Sequence, residues 1–253
     1  MQVSVITPTI RPEGLDIVRK ALKKQTFRDF EWIIGSKEDP EIPEATWIHD
    51  DFTGGFWSLN RIYNALFESA KGDIIVSWQD YIHAGPDALQ KFVQNLETEG
   101  PNTIISAVGD HYAELNKYGK PMIKVWSDPR KTTEHGSFYQ CNFPDIEWNL
   151  CATHKKTHTD IGGFCEKLDH TGYGMDGYQV NERLNDTGCK FFLDQSLESM
   201  TLRHNRDSYD GEDNWNKNNN LHNGGYEQVR KELKLSGNWP VIRSHSHKNK
   251  NTQ

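Results

Sequence analysis

Between Val3 and Ile34 the chain runs strand, helix, strand with very little linker, and that order constrains the fold more than any other feature. Val3 to Thr7 (VSVIT) is an apolar, β-branched run of strand length. Pro8 to Pro12 (PTIRP) reads as a tight loop, and Leu15 to Gln25 as a helix with Leu15, Val18 and Leu22 on one face. Phe30 to Ile34 (FEWII) is a second apolar strand. Two strands joined through a helix lie parallel, with a right-handed crossover, because only antiparallel strands can be linked by a tight turn.

The alternation continues. Trp47-Ile48 reads as a short strand, followed by the pair Asp50-Asp51 and a loop containing Gly54-Gly55. Ser58 to Ala70 has the spacing of a helix with Leu59, Ile62, Ala65 and Leu66 as its buried stripe, and Gly72 ends it. Ile74 to Trp78 is then a strand that stops abruptly at Gln79-Asp80. A carboxylate at the carboxyl end of a buried strand lies where open α/β sheets place their ligands, which makes Asp80 the first candidate functional residue. A helix over Asp87 to Leu96, a strand over Thr103 to Val108, a looser β-rich region from Met122 to Leu150 and a strand at Phe191 to Leu193 follow. The expected fold is α/β: a single domain with a mostly parallel central sheet flanked by helices, over residues 1–210. Residues 211–243 read as a polar extension packed on it, and residues 244–253 as a mobile tail.

At 253 residues the chain can bury one good-sized core. Its net charge of −7 argues against broad attraction to nucleic acid or anionic lipid. The amino terminus enters a strand at once, without the pattern of a signal peptide, and no apolar run approaches membrane-spanning length, so a cytoplasmic protein is expected. Four cysteines with no CxxC pair fit reduced thiols better than a disulfide frame. Cys151, His154 and His158 have spacing open to a metal cluster, but a polar surface or strand edge is the reading that spacing alone favours.

Together these segments resemble the family 2 glycosyltransferases, enzymes of the GT-A fold that take a sugar from a nucleotide-diphosphate donor. The likeness is carried by VSVITPTIRPEGL, by FEWIIGSKEDP, by SLNRIYNALFESAKGDIIVSWQD, and by GGF with GYGMDGYQVNERLNDTG. The last of these is similar to the carboxyl-terminal region of galactosyltransferase-like members.

The resemblance implies a donor site, an acceptor side and a base. Thr7, Pro8, Thr9 and Arg11 fall where the family holds base and ribose. Glu38 or Asp39 after the second strand, or Asp51 after the next, would supply an acidic contact, and Asn60 and Arg203 complete the donor set. The family's DxD motif, whose carboxylates hold a divalent cation on the diphosphate, is reduced here to SWQDY. Asp80 then supplies the carboxylate, Gln79 a carbonyl or a hydrogen bond to ribose, and magnesium or manganese sits in a weakened or substrate-assembled site. His204 falls where relatives add a histidine ligand, which favours manganese. Arg203 and Arg206 could neutralise phosphate instead. Asp176 is the single acid left of an acidic pair and is the implied base, although an Asp there also reads as a helix N-cap. Gly162-Gly163-Phe164 is implied to form a close turn beneath donor and acceptor. Trp57, Gly163 and Tyr173 make up the acceptor side.

The implied activity is inverting transfer of a hexose or N-acetylhexosamine from a donor, UDP-linked by preference, to a hydroxyl on a glycan. A nucleic acid acceptor stays open, since Arg19, Lys20, Lys23, Lys24 and Arg28 could build a basic face, although such a face is more often merely a solvated helix surface. Two alternatives remain. One is a nucleotide-sugar or glycan binding protein that has kept the fold and lost catalysis. The other is a sugar nucleotidyltransferase, which calls for a Gly- and Arg/Lys-rich loop after the first strand, where TPTIRPEGL has one Gly and one Arg.

Overall fold

The structure, a computed structural model, describes residues 3–51, 58–113, 122–170, 176–202 and Lys231. The elements in chain order are β1 (Val3–Pro8), α1 (Leu15–Lys23), β2 (Phe30–Ser36), β3 (Ala45–His49), α2 (Leu59–Ser69), β4 (Ile74–Trp78), β5 (Ile82–His83) and α3 (Ala88–Glu99). They continue with β6 (Thr103–Tyr112), β7 (Lys124–Trp126), β8 (Phe138–Gln140), β9 (Leu150–His154), α4 (Lys155–Asp160), α5 (Asp176–Asp186) and β10 (Lys190–Leu202). The described strands join in one sheet of order β3-β2-β1-β4-β9-β6-β10-β5, with β7 on β6 and β8 on β10. β3, β2, β1 and β4 are mutually parallel, with α1 crossing between β1 and β2 and α2 between β3 and β4, while β2 and β3 are joined by a loop without a helix. β6 and β10 run parallel to each other, and β9 is antiparallel to both of its neighbours.

The apolar strands are continuous runs because both sheet faces are covered. Side chains alternate: Val3 and Val5 join Leu15, Val18 and Leu22 of α1 and Leu89, Phe92 and Leu96 of α3. Ile6 on the opposite face joins Ile62 and Leu66 of α2 and Val180 and Leu184 of α5. Trp78, fully buried at the end of β4, packs on the α1 and α3 side and donates its indole N–H to the Ile82 carbonyl at 2.9 Å.

Two segments differ from expectation. β9 lies beyond the β-rich region expected to close at Leu150, yet it is a central strand that separates β4 from β6. The last strand spans 13 residues, not only Phe191 to Leu193. Its middle, Asp194 to Glu198, is polar and carries a register shift against β6, with Glu198 at φ 51°. Pairing with β6 on both sides of that bulge, and with β8 and β5, holds the strand together where its own residues give no β pattern.

The four cysteines are free thiols. No helix among the described residues is long and apolar enough to cross a membrane. The basic residues of α1 are matched by acids: Arg19 and Lys23 reach Glu44, and Lys20 reaches Asp16. The proposed polar extension and tail lie outside the described residues apart from Lys231.

Candidate functional site

The carboxyl ends of β1 and β4 lie side by side, and the loop after each contributes to one cluster. Asp80 is buried, with both carboxylate oxygens bonded. Arg11 Nη2 donates to Oδ1 at 2.5 Å, and Arg11 Nε donates to Oδ2 at 3.1 Å. The Thr9 hydroxyl donates to the same Oδ2 at 2.5 Å, while Arg11 N–H donates to Thr9 Oγ1 at 2.8 Å. The Arg11 guanidinium also lies 5.3 Å from the centre of the Tyr81 ring. Tyr81 has φ 61°, a conformation a non-glycine residue holds only when its surroundings impose it. Gly14 makes room for that ring, since a Cβ there would fall 2.5 Å from it. Burial pushes the Asp80 carboxyl above the usual carboxylate range, opposed by the charge and hydrogen bonds of Arg11 and by Thr9. The Tyr81 phenol is pushed up to about 12, first by burial and then by Glu13.

Neighbouring residues of this stretch point apart. The Gln79 amide donates to the Tyr63 hydroxyl of α2 at 3.0 Å, and its backbone N–H to the Asn149 carbonyl at 2.8 Å. Gln79 and Asp80 therefore do not converge on one point, as alternation along an extended chain requires. The Thr7 hydroxyl is inside the core, accepting from Trp32 Nε1 and donating to the Trp78 carbonyl. Pro8 ends β1. Glu38 and Asp39 are exposed in the loop after β2, with Asp39 accepting the Glu41 N–H at 2.8 Å. At the end of β3, Asp51 is exposed and pairs with Arg61 at 2.9 Å, whereas its neighbour Asp50 is buried and accepts the Ser58 hydroxyl.

A second cluster joins the start of α2 to the segment before α5. Asp169, which sequence reasoning missed, accepts the N–H groups of Asn60 at 3.0 Å and Arg61 at 2.9 Å, and Asn60 Nδ2 at 2.9 Å. It caps the helix in place of Ser58, whose side chain makes no cap bond. Burial pushes its carboxyl up to about 7, against those three donors, which favour the ionised form. Asn60, expected at the donor, is fully buried and also accepts from Gln179 Nε2 at 3.3 Å. Gly163, expected on the acceptor side, has φ 81°, and a Cβ on it would lie 2.5 Å from Asn64 Oδ1. It lines a cavity of about 150 Å³ with Asn64, Phe67, Lys155 and His158. That cavity lies toward the amino end of β4, since β9 runs antiparallel to it and His154, just before α4, pairs with Ile74.

The start of α5 reaches the strand-end edge through its backbone. Gly177, the residue after Asp176, packs so tightly on Trp148 that a Cβ would come within 2.9 Å of the indole Cδ1. Trp148 in turn accepts the Ser77 hydroxyl on its carbonyl and is followed by Asn149, the partner of Gln79. β10 also ends at this edge, with the Leu202 N–H donating to the Tyr81 carbonyl at 2.8 Å. Trp57, Tyr173, Arg203 and His204 lie outside the described residues.

A sheet of this order, with helices on both faces and its loops gathered beyond the ends of β1 and β4, defines the GT-A type of α/β fold. No family model and no curated protein matches the chain. Among solved structures, it is similar to residues 1–349 of S. aureus TarS in complex with UDP, with a TM-score of 0.59 and 12% identity, over 83% of this chain and 62% of that one. It is also similar to GalNAc-T7 with UDP, GalNAc and Mn²⁺, with a TM-score of 0.63 and 10% identity, over 81% of this chain and 44% of that one. At such identities the likeness is one of fold.

The Mn²⁺ in the GalNAc-T7 structure gives the expected cation a specific test. Among the described residues no three His, Cys, Asp or Glu side chains converge as a metal site. Asp80 is the carboxylate that β4 itself delivers, and of its roughly four lone-pair positions three already accept hydrogen bonds. A divalent ion of the magnesium type takes about six oxygen ligands. Such ions are commonly held by one or two carboxylates with substrate phosphates and waters, and Asp80 is the described residue that could offer one.

Proposed function

We propose that the protein is a glycosyltransferase that moves a hexose or N-acetylhexosamine from a nucleotide-diphosphate donor, UDP-linked by preference, to a hydroxyl of a glycan, with inversion. The observation that carries this is the Thr9–Arg11–Asp80 cluster at the carboxyl ends of two adjacent parallel strands, in a fold shared with two structures that hold UDP. Residues 1–210 would form the transferase domain, with residues 211–243 packed on it and a cytoplasmic location.

In the reaction, a lone pair of the acceptor oxygen forms the new bond to the anomeric carbon. The bond from that carbon to the diphosphate oxygen breaks, and its electron pair leaves with the nucleoside diphosphate. The acceptor proton passes to Asp176, whose helix begins against Trp148 beside the strand ends. Thr9, Arg11 and the backbone of Pro8 hold the donor. Trp57, Tyr173, Glu38, Asp39, Asp51, Gln79 and Arg203 are assigned to donor or acceptor contacts from the resemblance.

The test is a panel of nucleotide sugars assayed for slow hydrolysis without acceptor and for transfer to oligosaccharides. Turnover of one donor supports the transferase, and UDP binding without turnover across the panel reassigns the chain as a binding protein.

A further inference from the structure

We infer that Glu147, in the loop before β9, recognises the sugar being transferred: its carboxylate takes hydrogen bonds from the sugar's hydroxyls and turns away a sugar that carries a carboxylate of its own. The inference rests on the donor assignment above and adds to it the class of sugar, a neutral one rather than a uronic acid.

Three observations support it. The first is where Glu147 stands. β9 runs antiparallel to β4, so its start, with Leu150 beside Trp78, lies at the carboxyl end of β4. The residues just before it reach toward both halves of the proposed reaction. The Asn149 carbonyl accepts the N–H of Gln79, the neighbour of Asp80, and Trp148 packs on Gly177, the neighbour of Asp176. A sugar transferred with inversion lies between its leaving group and the base, because the attacking oxygen arrives on the opposite face. Secondly, the carboxylate is held still. Arg130 Nη2 donates to Glu147 Oε2 at 3.0 Å, and Asn149 Nδ2 donates to the same oxygen at 3.1 Å. Arg130 is itself fixed by Asp128 and by the Asp145 carbonyl, with its side chain only 15% exposed. The Glu147 N–H and carbonyl both bond the buried Ser106 hydroxyl. An exposed ion pair seldom repays the rotamer freedom lost in holding it, so a glutamate fixed from this many sides is prepared in advance for a partner. Thirdly, the group is open. Both side-chain bonds fall on Oε2, half of the side chain is exposed, and among the described residues Oε1 accepts no hydrogen bond.

An ionised carboxylate only accepts hydrogen bonds, so what it can take up at Oε1 is a donor. A sugar hydroxyl is one, and its bond to a charged oxygen is stronger than a bond between neutral groups. Such a bond fixes the ring and with it the direction in which the anomeric carbon faces. A uronic acid would set a second carboxylate against Glu147, whose cation, Arg130, is already shared with Asp128, and that repulsion selects against it.

The experiment titrates the full chain by calorimetry, with manganese present, against UDP, UDP-glucose, UDP-galactose, UDP-N-acetylglucosamine, UDP-N-acetylgalactosamine and UDP-glucuronic acid. In wild type one of the neutral donors should bind about ten-fold or more tightly than UDP-glucuronic acid. Glu147→Ala should weaken that donor by about ten-fold and leave UDP within about two-fold, and Glu147→Gln should narrow the gap to UDP-glucuronic acid. A merely structural Glu147 would weaken UDP and the neutral donor together, in step with a fall in melting temperature. That result overturns the inference and leaves the donor assignment standing. So does a Glu147→Ala variant that binds every ligand as wild type does, or a wild type that binds UDP but prefers no neutral donor to UDP-glucuronic acid. Failure of the wild type to bind UDP overturns the UDP assignment and the inference with it. The wild-type panel tests the selectivity even if the substitutions do not fold.

Discussion

Asp80 and Asp169 are both buried carboxylates, each bound by three donors, and they have opposite roles because the donors differ. Asp80 meets a guanidinium and a hydroxyl in the loops beyond the carboxyl ends of β1 and β4. Asp169 meets two backbone N–H groups and an amide inside the protein, where these bonds tie the start of α2 to the segment leading to α5. On the proposed reading the same residue type anchors a ligand site in one place, and it is a helix cap in the other. Burial alone does not distinguish the two acids; the kind of donor does.

Asp176 would show the largest effect, because its helix starts near the Asp169 cluster while its assigned work is at the strand ends. Asp176→Asn should lower transfer by about 10²–10⁴-fold with donor affinity unchanged, as measured by initial rates and by UDP titration. Unchanged transfer would remove Asp176 from the base role and leave it as a helix cap.

The second test concerns pH. Burial in the folded protein pushes the Asp169 carboxyl up to about 7, from about 4 for an aspartate in the unfolded chain, so folding takes up a proton between those values. This contribution is fully present below about pH 4 and is lost as pH rises through 7, and it amounts to at most about 4 kcal/mol. Urea unfolding at intervals across that window should show the fall, and Asp169→Asn should flatten it. A stability that rises from pH 4 to 7 with wild-type Asp169, and loses that rise in the variant, would mean the three donors outweigh burial.

Asp169→Ala should cost about 3 kcal/mol at low pH, since it strands two backbone N–H groups and the Asn60 amide in a buried site. The measurement is the urea midpoint, and UDP affinity in the folded variant should match wild type. Thr9→Val is the mildest change. Losing one hydroxyl from the Asp80 cluster should cost about 1 kcal/mol of stability and a few-fold in UDP affinity. A silent Thr9→Val would show that Arg11 holds Asp80 without help.

Much of the fold was legible in the order of residues. Apolar runs of strand length alternating with helical stripes foretold β1 through β4 and α1 through α3, with ends displaced by a few residues. β9 was not legible, because a short run such as Leu150 to His154 carries no mark of which strands it will part. The long β10 was hidden by its polar middle, which only pairing to β6, β8 and β5 makes a strand. The candidate cluster was legible where it is local in sequence: Asp80 after β4, and Thr9 and Arg11 after β1.

Partners distant in sequence were not legible. Ser58 has the character of an N-cap, and nothing in the chain announces that Asp169, 109 residues from Asn60, performs that function. Nor did the Asp50-Asp51 pair reveal that Asp50 is the buried member. Sequence by itself determined the strand-helix alternation and the placement of one acid at a strand end, because both follow from local periodicity. Tertiary structure alone decided that Arg11 sits on that acid, that Gln79 turns from it and that Asp169 closes α2. Those outcomes depend on which surfaces meet across 69 and 109 residues of chain, and hydrogen bonding at that range leaves no periodic trace.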